Sequence, residues 1–167
     1  METPVNPVAV PYRDAMRRLA STVTIISTGG MEVRHAITAT AVTSVSMEPP
    51  SLLTCINRKS RLHGFLEEQE TFCVNFLHRS HVDISEVFSG QKFTKNRFDW
   101  GDWGTHLTGL PYLVGAQCNI FCRKTLSMPY GSHTIFIGEV FEVAIRDEVA
   151  PLIYADGKYA TATPIGD

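Results

Sequence analysis

The chain lacks any apolar run approaching the roughly 20 residues that a membrane helix needs, so a helical membrane span is excluded. It also lacks the CxxC spacing: Cys55, Cys73, Cys118 and Cys122 are too few and too scattered for a secreted disulfide framework and read as reduced thiols. Cys118 and Cys122 are the nearest pair, but in an alternating segment residues four apart lie some 13 Å along a strand, too far for a disulfide or a shared zinc. No excess of positive charge is present, because 15 Lys and Arg stand against 17 Asp and Glu, and a net charge of -2 gives no field for holding nucleic acid. GxGxxG, GxxxxGK[ST] and GxSxG are all missing, which removes the usual dinucleotide cradle, the usual triphosphate cradle and the nucleophile elbow. The start METPVNPVAVPYRD has neither the basic lead nor the apolar stretch of a secretion leader, so the expected compartment is the cytoplasm.

What is present describes one domain over residues 1–167. Hydrophobic residues make up 44% and charged residues 19%, enough apolar side chain to fill one interior. Residues 1–10 carry prolines and read as an extended arm. Pro11 then suits the first turn of a helix whose Tyr12, Ala15, Met16 and Leu19 share a face. Strands are expected over 22–27, 35–47, 52–56, 72–77, 113–123 and 133–145, with a terminal hairpin over 151–161. Short helices are expected after Ser60 and over 82–88, and residues 89–109, with Trp100 and Trp103 as anchors, read as a long structured loop. Strands with only short helices between them do not make β-α-β units, so a mainly antiparallel barrel is favoured over a doubly wound parallel sheet.

Three segments could carry chemistry. In 35–47, Ile37, Ala39 and Ala41 alternate with Thr38, Thr40, Ser44 and Ser46, so one side of the strand is greasy and the other carries small hydroxyls. Such a face meets solvent in most proteins, yet with Ala36 it is slim enough for a flat ring to lie against the backbone. The turn Asn57-Arg58-Lys59-Ser60-Arg61 leaves a strand and opens a helix, where free N–H groups and cations suit a single phosphate; the plainer reading is that Ser60 only caps its helix. His133 follows Tyr130-Gly131-Ser132 at the start of a long strand, where a barrel rim would place it, although a lone histidine is more often structural. His78 and His81 have no carboxylate or cysteine set beside them, and no metal site is expected.

Together these pieces resemble the short-chain flavin reductase family, the NAD(P)H:flavin oxidoreductases of two-component monooxygenases, and most of all the 4-hydroxyphenylacetate 3-monooxygenase reductase type. The matching stretches are YRDAMRRLASTVTIISTGG (12–30), ITATAVTSVSMEPPSLLTCINRKS (37–60), FCVNFL (72–77), NRF (96–98), GSHTIFIGEV (131–140) and PLIYADGKY (151–159), in the family's order. The resemblance implies a mainly β, FMN-binding split β-barrel that forms a homodimer. It also implies hydride transfer from NADH or NADPH to FMN or FAD, with reduced flavin supplied to a separate monooxygenase. Carried over by position, Thr38, Ala39 and Thr40 lie along the flavin ring with Ser44 nearby. Asn57, Ser60 and Arg61 approach the ribityl chain and phosphate, Asn75 and Arg97 also contact the cofactor, and His133 stands near the nicotinamide. Ser132, Ala36 and Ala41 depart from the aspartate, glycine and serine frequent in relatives. Two other roles known for this fold are flavin-dependent reduction of corrinoid cobalt and passive binding of flavin or haem.

Overall fold

β-Branched and aromatic runs, punctuated by glycine and proline, build a structure dominated by strands. The computed structural model describes residues 6–30 and 32–166. Helix α1 spans Ala9–Met16. Strands β1 (Ser21–Thr22), β2 (Thr24–Gly29), β3 (Arg34–Ala39), β4 (Val42–Met47) and β5 (Pro50–Asn57) follow, then α2 (Arg61–Glu68), β6 (Thr71–Phe76) and α3 (Val82–Ser89). The remaining strands are β7 (Trp103–Thr105), β8 (Pro111–Leu113), β9 (Cys118–Tyr130), β10 (His133–Ile145), β11 (Leu152–Ala155) and β12 (Lys158–Thr161).

The main sheet has seven strands in the order β3-β2-β6-β9-β10-β5-β4, with every pairing antiparallel. Its two edge strands, β3 and β4, are neighbours in the chain, joined only by Thr40 and Ala41. A sheet whose opposite edges are connected by two residues must curl until those edges meet. No ladder runs between β3 and β4; the chain bridges the gap, and this is the split of a split β-barrel. The joint is held by Val42 N–H donating to Thr40 O and Cys55 N–H donating to Ala41 O, each at 3.0 Å.

Three apolar clusters pack on the sheet, two of them large. Inside the barrel, Ile26, Leu52, Ile56, Phe72, Val74 and Phe136 pack with Leu62 and Leu66 of α2. On the other side, Val23, Ile25, Leu77 and Leu152 pack with Val87 and Phe88 of α3, and Trp100 and Trp103 cover this cluster. Trp103 Nε1–H also donates to Trp100 O at 2.9 Å, so the loop tryptophans are anchors as expected. β6 has Phe72 and Val74 in the barrel core and Cys73 in a small cluster with Leu110 and Phe121, which is why its middle four residues, polar Asn75 among them, are all buried. A Cβ built on Gly138 would stand 2.5 Å from the Phe72 ring and 2.7 Å from Cys122 Cβ, so β10 crosses β9 closely only because that residue is glycine.

Several boundaries differ from expectation. The arm expected over residues 1–10 falls partly outside the described residues, and helix α1 already begins at Ala9. Pro11 is tolerated there because it stays in the first turn, where its missing N–H has no helical partner to lose. The apolar face expected for α1 is not buried: none of the helix residues is. The strand expected over 22–27 is interrupted at Val23, whose N–H donates to Leu152 O and whose carbonyl accepts from Leu77 N–H. The strand expected over 35–47 breaks at Thr40-Ala41 for the topological reason given above. β9 runs on to Tyr130 rather than ending at Arg123, because β10 supplies a partner through its whole length. The terminal hairpin stands as read, its turn made by Asp156 (φ 50°) and Gly157 (φ 76°). All four cysteines are free, and among the described residues no helix is long and apolar enough to cross a membrane.

Candidate active site

The joint between β3 and β4 opens onto a cavity of about 370 Å³. Residues 37–41 form one wall, Cys55 to Asn57 of β5 a second, and His133 stands at the rim. The far side is closed by Ser85 and Ser89 of α3, by Gln91, and by Tyr154 and Tyr159 of the terminal hairpin. Thr38, Ala39, Thr40, Asn57 and His133, predicted from separate stretches, are thus brought to one place. The volume lies near the lower end of small-molecule sites, roughly 300 to 1,000 Å³, which suits one flat ring system better than a branched ligand.

The wall is rigid. Thr38 Oγ1 donates to Ser85 O at 2.8 Å, tying β3 to α3. Ser85 Oγ and Tyr159 Oη are 2.9 Å apart, and the Tyr159 ring meets Tyr154 edge-on at 5.4 Å, which ties α3 to the hairpin. At the rim, Ser132 Oγ lies 2.9 Å from His133 Nδ1. Arg58 N–H donates to Ser132 O, which joins the turn carrying Asn57 to the turn carrying His133. His133 and Asn57 are also register partners in the β10–β5 ladder.

Beside this cavity, across β3 and the end of α3, lies a second one of about 550 Å³. Arg34, Arg61, Lys92, Lys95 and Arg97 all reach it, with His35 and Phe98 in its wall. Some of this charge is spent locally. Lys92 Nζ bonds Asp83 at 3.0 Å and lies over Trp100, and Arg34 lies 4.5 Å over the Phe98 ring. His35 is stacked on Phe65, and its burial, with Arg61 near, lowers its pKa. The arrangement sets a cationic cavity beside a ring-sized slot.

Three predicted residues line neither cavity. Ser44 lies on β4 beyond the joint, exposed and opposite Leu52, because the break reverses nothing in the alternation but carries it away from the cavity. Ser60 caps α2, its Oγ accepting from His63 N–H at 3.3 Å. Asn75 is wholly buried: its Nδ2 donates to Ile25 O and Ser27 Oγ, and its Oδ1 accepts from Leu113 N–H and Asn119 Nδ2. All of that amide's capacity is used in joining β2, β6, β8 and β9, which leaves nothing for a ligand. The sequence reading missed Cys55, Ser85, Ser89, Gln91, Tyr154 and Tyr159. Only the tyrosines carried a signal, as two aromatic residues directly opposed across a readable hairpin.

Residues 16–163 match the flavin reductase like domain family. The reductase component of the FADH(2)-dependent resorcinol hydroxylase from Rhizobium sp. (strain MTP-10005) is 43% identical over 157 residues, 93% of this chain and 88% of that protein. The FMN reductase (NADH) RutF of Stutzerimonas stutzeri (strain A1501) is 42% identical over 148 residues, 89% of this chain and 85% of that protein. Among solved structures, the flavin reductase PheA2 in its native state superposes with a TM-score of 0.86 at 30% identity, covering 93% of this chain and 99% of that one. The NADH:FAD oxidoreductase SgcE6 of Streptomyces globisporus C-1027, in complex with NAD and FAD fragments, gives a TM-score of 0.89 at 27% identity, over 99% of this chain and 100% of that one. Split barrel, ring-sized slot and sequence agree over nearly the whole length, and the chain belongs to the flavin reductase like domain family.

Proposed function

We propose that this protein is an NAD(P)H-dependent flavin reductase that passes hydride from NADH or NADPH to FMN or FAD and supplies the reduced flavin to a separate monooxygenase component. The observation that carries the reading is the pairing of a slim, hydroxylated, ring-sized slot with a cationic cavity lined by the preceding residues of the same strand. The residues fit a flavin: alanine and threonine at 38–40 let a flat ring approach backbone, and Arg61 and Arg97 provide charge for a phosphate without a triphosphate loop. Bound flavin supplies the hydride acceptor, a chemistry that asks of the protein position and exclusion of water more than acid or base groups. Thr38, Ala39 and Thr40 are assigned to the ring, Asn57 to the ribityl chain, and Arg61 and Arg97, with Ser60 at the helix start, to the phosphate. His133, exposed at the rim and oriented by Ser132, is assigned to the nicotinamide.

The assembly we infer is a homodimer. Tyr12, Met16 and Leu19 around α1 and Leu126, Met128 and Tyr130 on the outer half of β9 are apolar and exposed in the single chain, more than scattered surface residues account for. Light scattering should give twice the 18.5 kDa chain mass, and Leu126→Glu with Met128→Glu should halve it. Four free cysteines, two of them buried, accord with a reducing compartment such as the cytoplasm. The decisive assay follows NADH and NADPH oxidation with FMN, FAD or no flavin. Turnover that needs added flavin is expected, and protein that neither binds flavin nor speeds its reduction would overturn the reading.

A further inference from the structure

The hydroxyls of Ser85 and Tyr159 pose an accounting question that the proposed function leaves open. Two hydroxyl groups carry two protons, and their mutual contact at 2.9 Å uses one of them. Ser85 is fully buried, and its carbonyl is already occupied by the Thr38 hydroxyl. The second proton has no acceptor among the described residues, yet both side chains line the first cavity. Tyr159 is only partly buried, so in the open cavity solvent meets that proton, and a ligand that closes over the pair takes the place of that water. The pair therefore offers the cavity one free O–H beside oxygen lone pairs, a donor next to an acceptor.

We propose that the Tyr159–Ser85 hydroxyl pair is the specificity-determining contact for the imide edge of the flavin ring. This rests on the reading of the first cavity as the ring site. That edge alternates carbonyl, N–H and carbonyl, and a hydroxyl pair sharing one proton matches it in either direction, since either oxygen can act as the donor. The geometry is fixed from both sides. Tyr159 is held edge-on by Tyr154 across the hairpin, and Ser85 by its place in α3 and by Thr38. Elsewhere on the wall cysteine and alanine cannot make such a contact, the Thr38 and Ser89 hydroxyls already donate to Ser85 O and Glu86 O, Thr40 and Gln91 are exposed, and His133 stands outside at the rim. The terminal hairpin thus acts as the reader of the ring's polar end.

The test is fluorescence-quenching titration with riboflavin and N3-methylriboflavin, which lack a phosphate and so bypass the cationic cavity. Wild-type protein should bind riboflavin and bind the N3-methyl compound about tenfold more weakly, the loss of one hydrogen bond in a dry site. In Tyr159→Phe the penalty for methylation should shrink to less than about threefold, with a melting temperature close to wild type. Ser85→Ala should reduce the same penalty and serves as the second variant should Tyr159→Phe fail to fold. A merely structural role would weaken both compounds equally and leave their ratio as it was. If wild type binds riboflavin and the full penalty persists in a folded variant, the assignment is overturned. If wild type binds neither compound, the reading of the cavity fails with it.

Discussion

His133 reaches the cavity rim from the first position of β10, with Ser132 beside its ring and Asn57 across the ladder. His133→Ala should raise the KM for NADH or NADPH by about tenfold, while the flavin dissociation constant measured by quenching changes less than about twofold. Equal losses in both would reject its place at the nicotinamide. Ser60 and Arg61 separate in another way. The Ser60 hydroxyl caps α2, so Ser60→Ala costs about 1 kcal/mol of stability whatever is bound. Arg61 faces the cationic cavity. Ser60→Ala with Arg61→Gln should therefore weaken FMN roughly tenfold more than riboflavin by the same titration, and an unchanged ratio would remove the phosphate assignment. Asn75 shows where residue-level reading reached its limit. The family resemblance placed it at the cofactor, but its bonds to Ile25, Ser27, Leu113 and Asn119 make it the hub of an internal network.

At the level of elements, the close crossing of β9 and β10 depends on Gly138. Gly138→Ala would drive a methyl into the Phe72 ring and Cys122, both fully buried, so a loss of about 1 to 3 kcal/mol is expected from a lowered urea midpoint with an unchanged m-value. The elements legible in the sequence were those whose partners are near in the chain or whose pattern is strong. The hairpin β11–β12 announced itself through Asp156-Gly157, β5 through its buried run, and α2 through Ser60 and the spacing of Leu62 and Leu66. The break at Thr40-Ala41 was hidden because alternation of hydroxyl and apolar residues passes through it undisturbed. Which edge of the sheet each half joins is set by β2 and β5, partners remote from that pattern. The outer half of β9 was hidden for the opposite reason: its apolar residues Leu126 and Met128 face away from the chain's own core. Ser85 became part of the site only through the packing of α3 on β3, a long-range contact to which no local pattern refers.

For the molecule as a whole, burial of ionisable groups bounds the pH range of stability. Burial raises all four thiols, Cys73 well above its usual value and Cys122 to about 12. The unfolded chain releases these protons near pH 9 while the folded one keeps them, so stability should decline as pH rises past 9. On the acid side burial lowers His35 and His81, helped by Arg61 beside His35 and by His78 and Arg146 beside His81. Unfolded imidazoles take up protons below about 6.5, so stability should also fall there. Urea titrations from pH 5 to 11 should show a plateau between those limits, and Cys122→Ala should flatten the alkaline decline. The two-residue joint carries a further consequence. Because Thr40 and Ala41 connect opposite sheet edges and accept from the amides of Val42 and Cys55, those two N–H groups act as a gauge of how often the seam parts. Deuterium uptake there, set against uptake in the interior of β6, would report the breathing of the ring slot directly, and a guest that wedges into the seam should slow it at these two amides first.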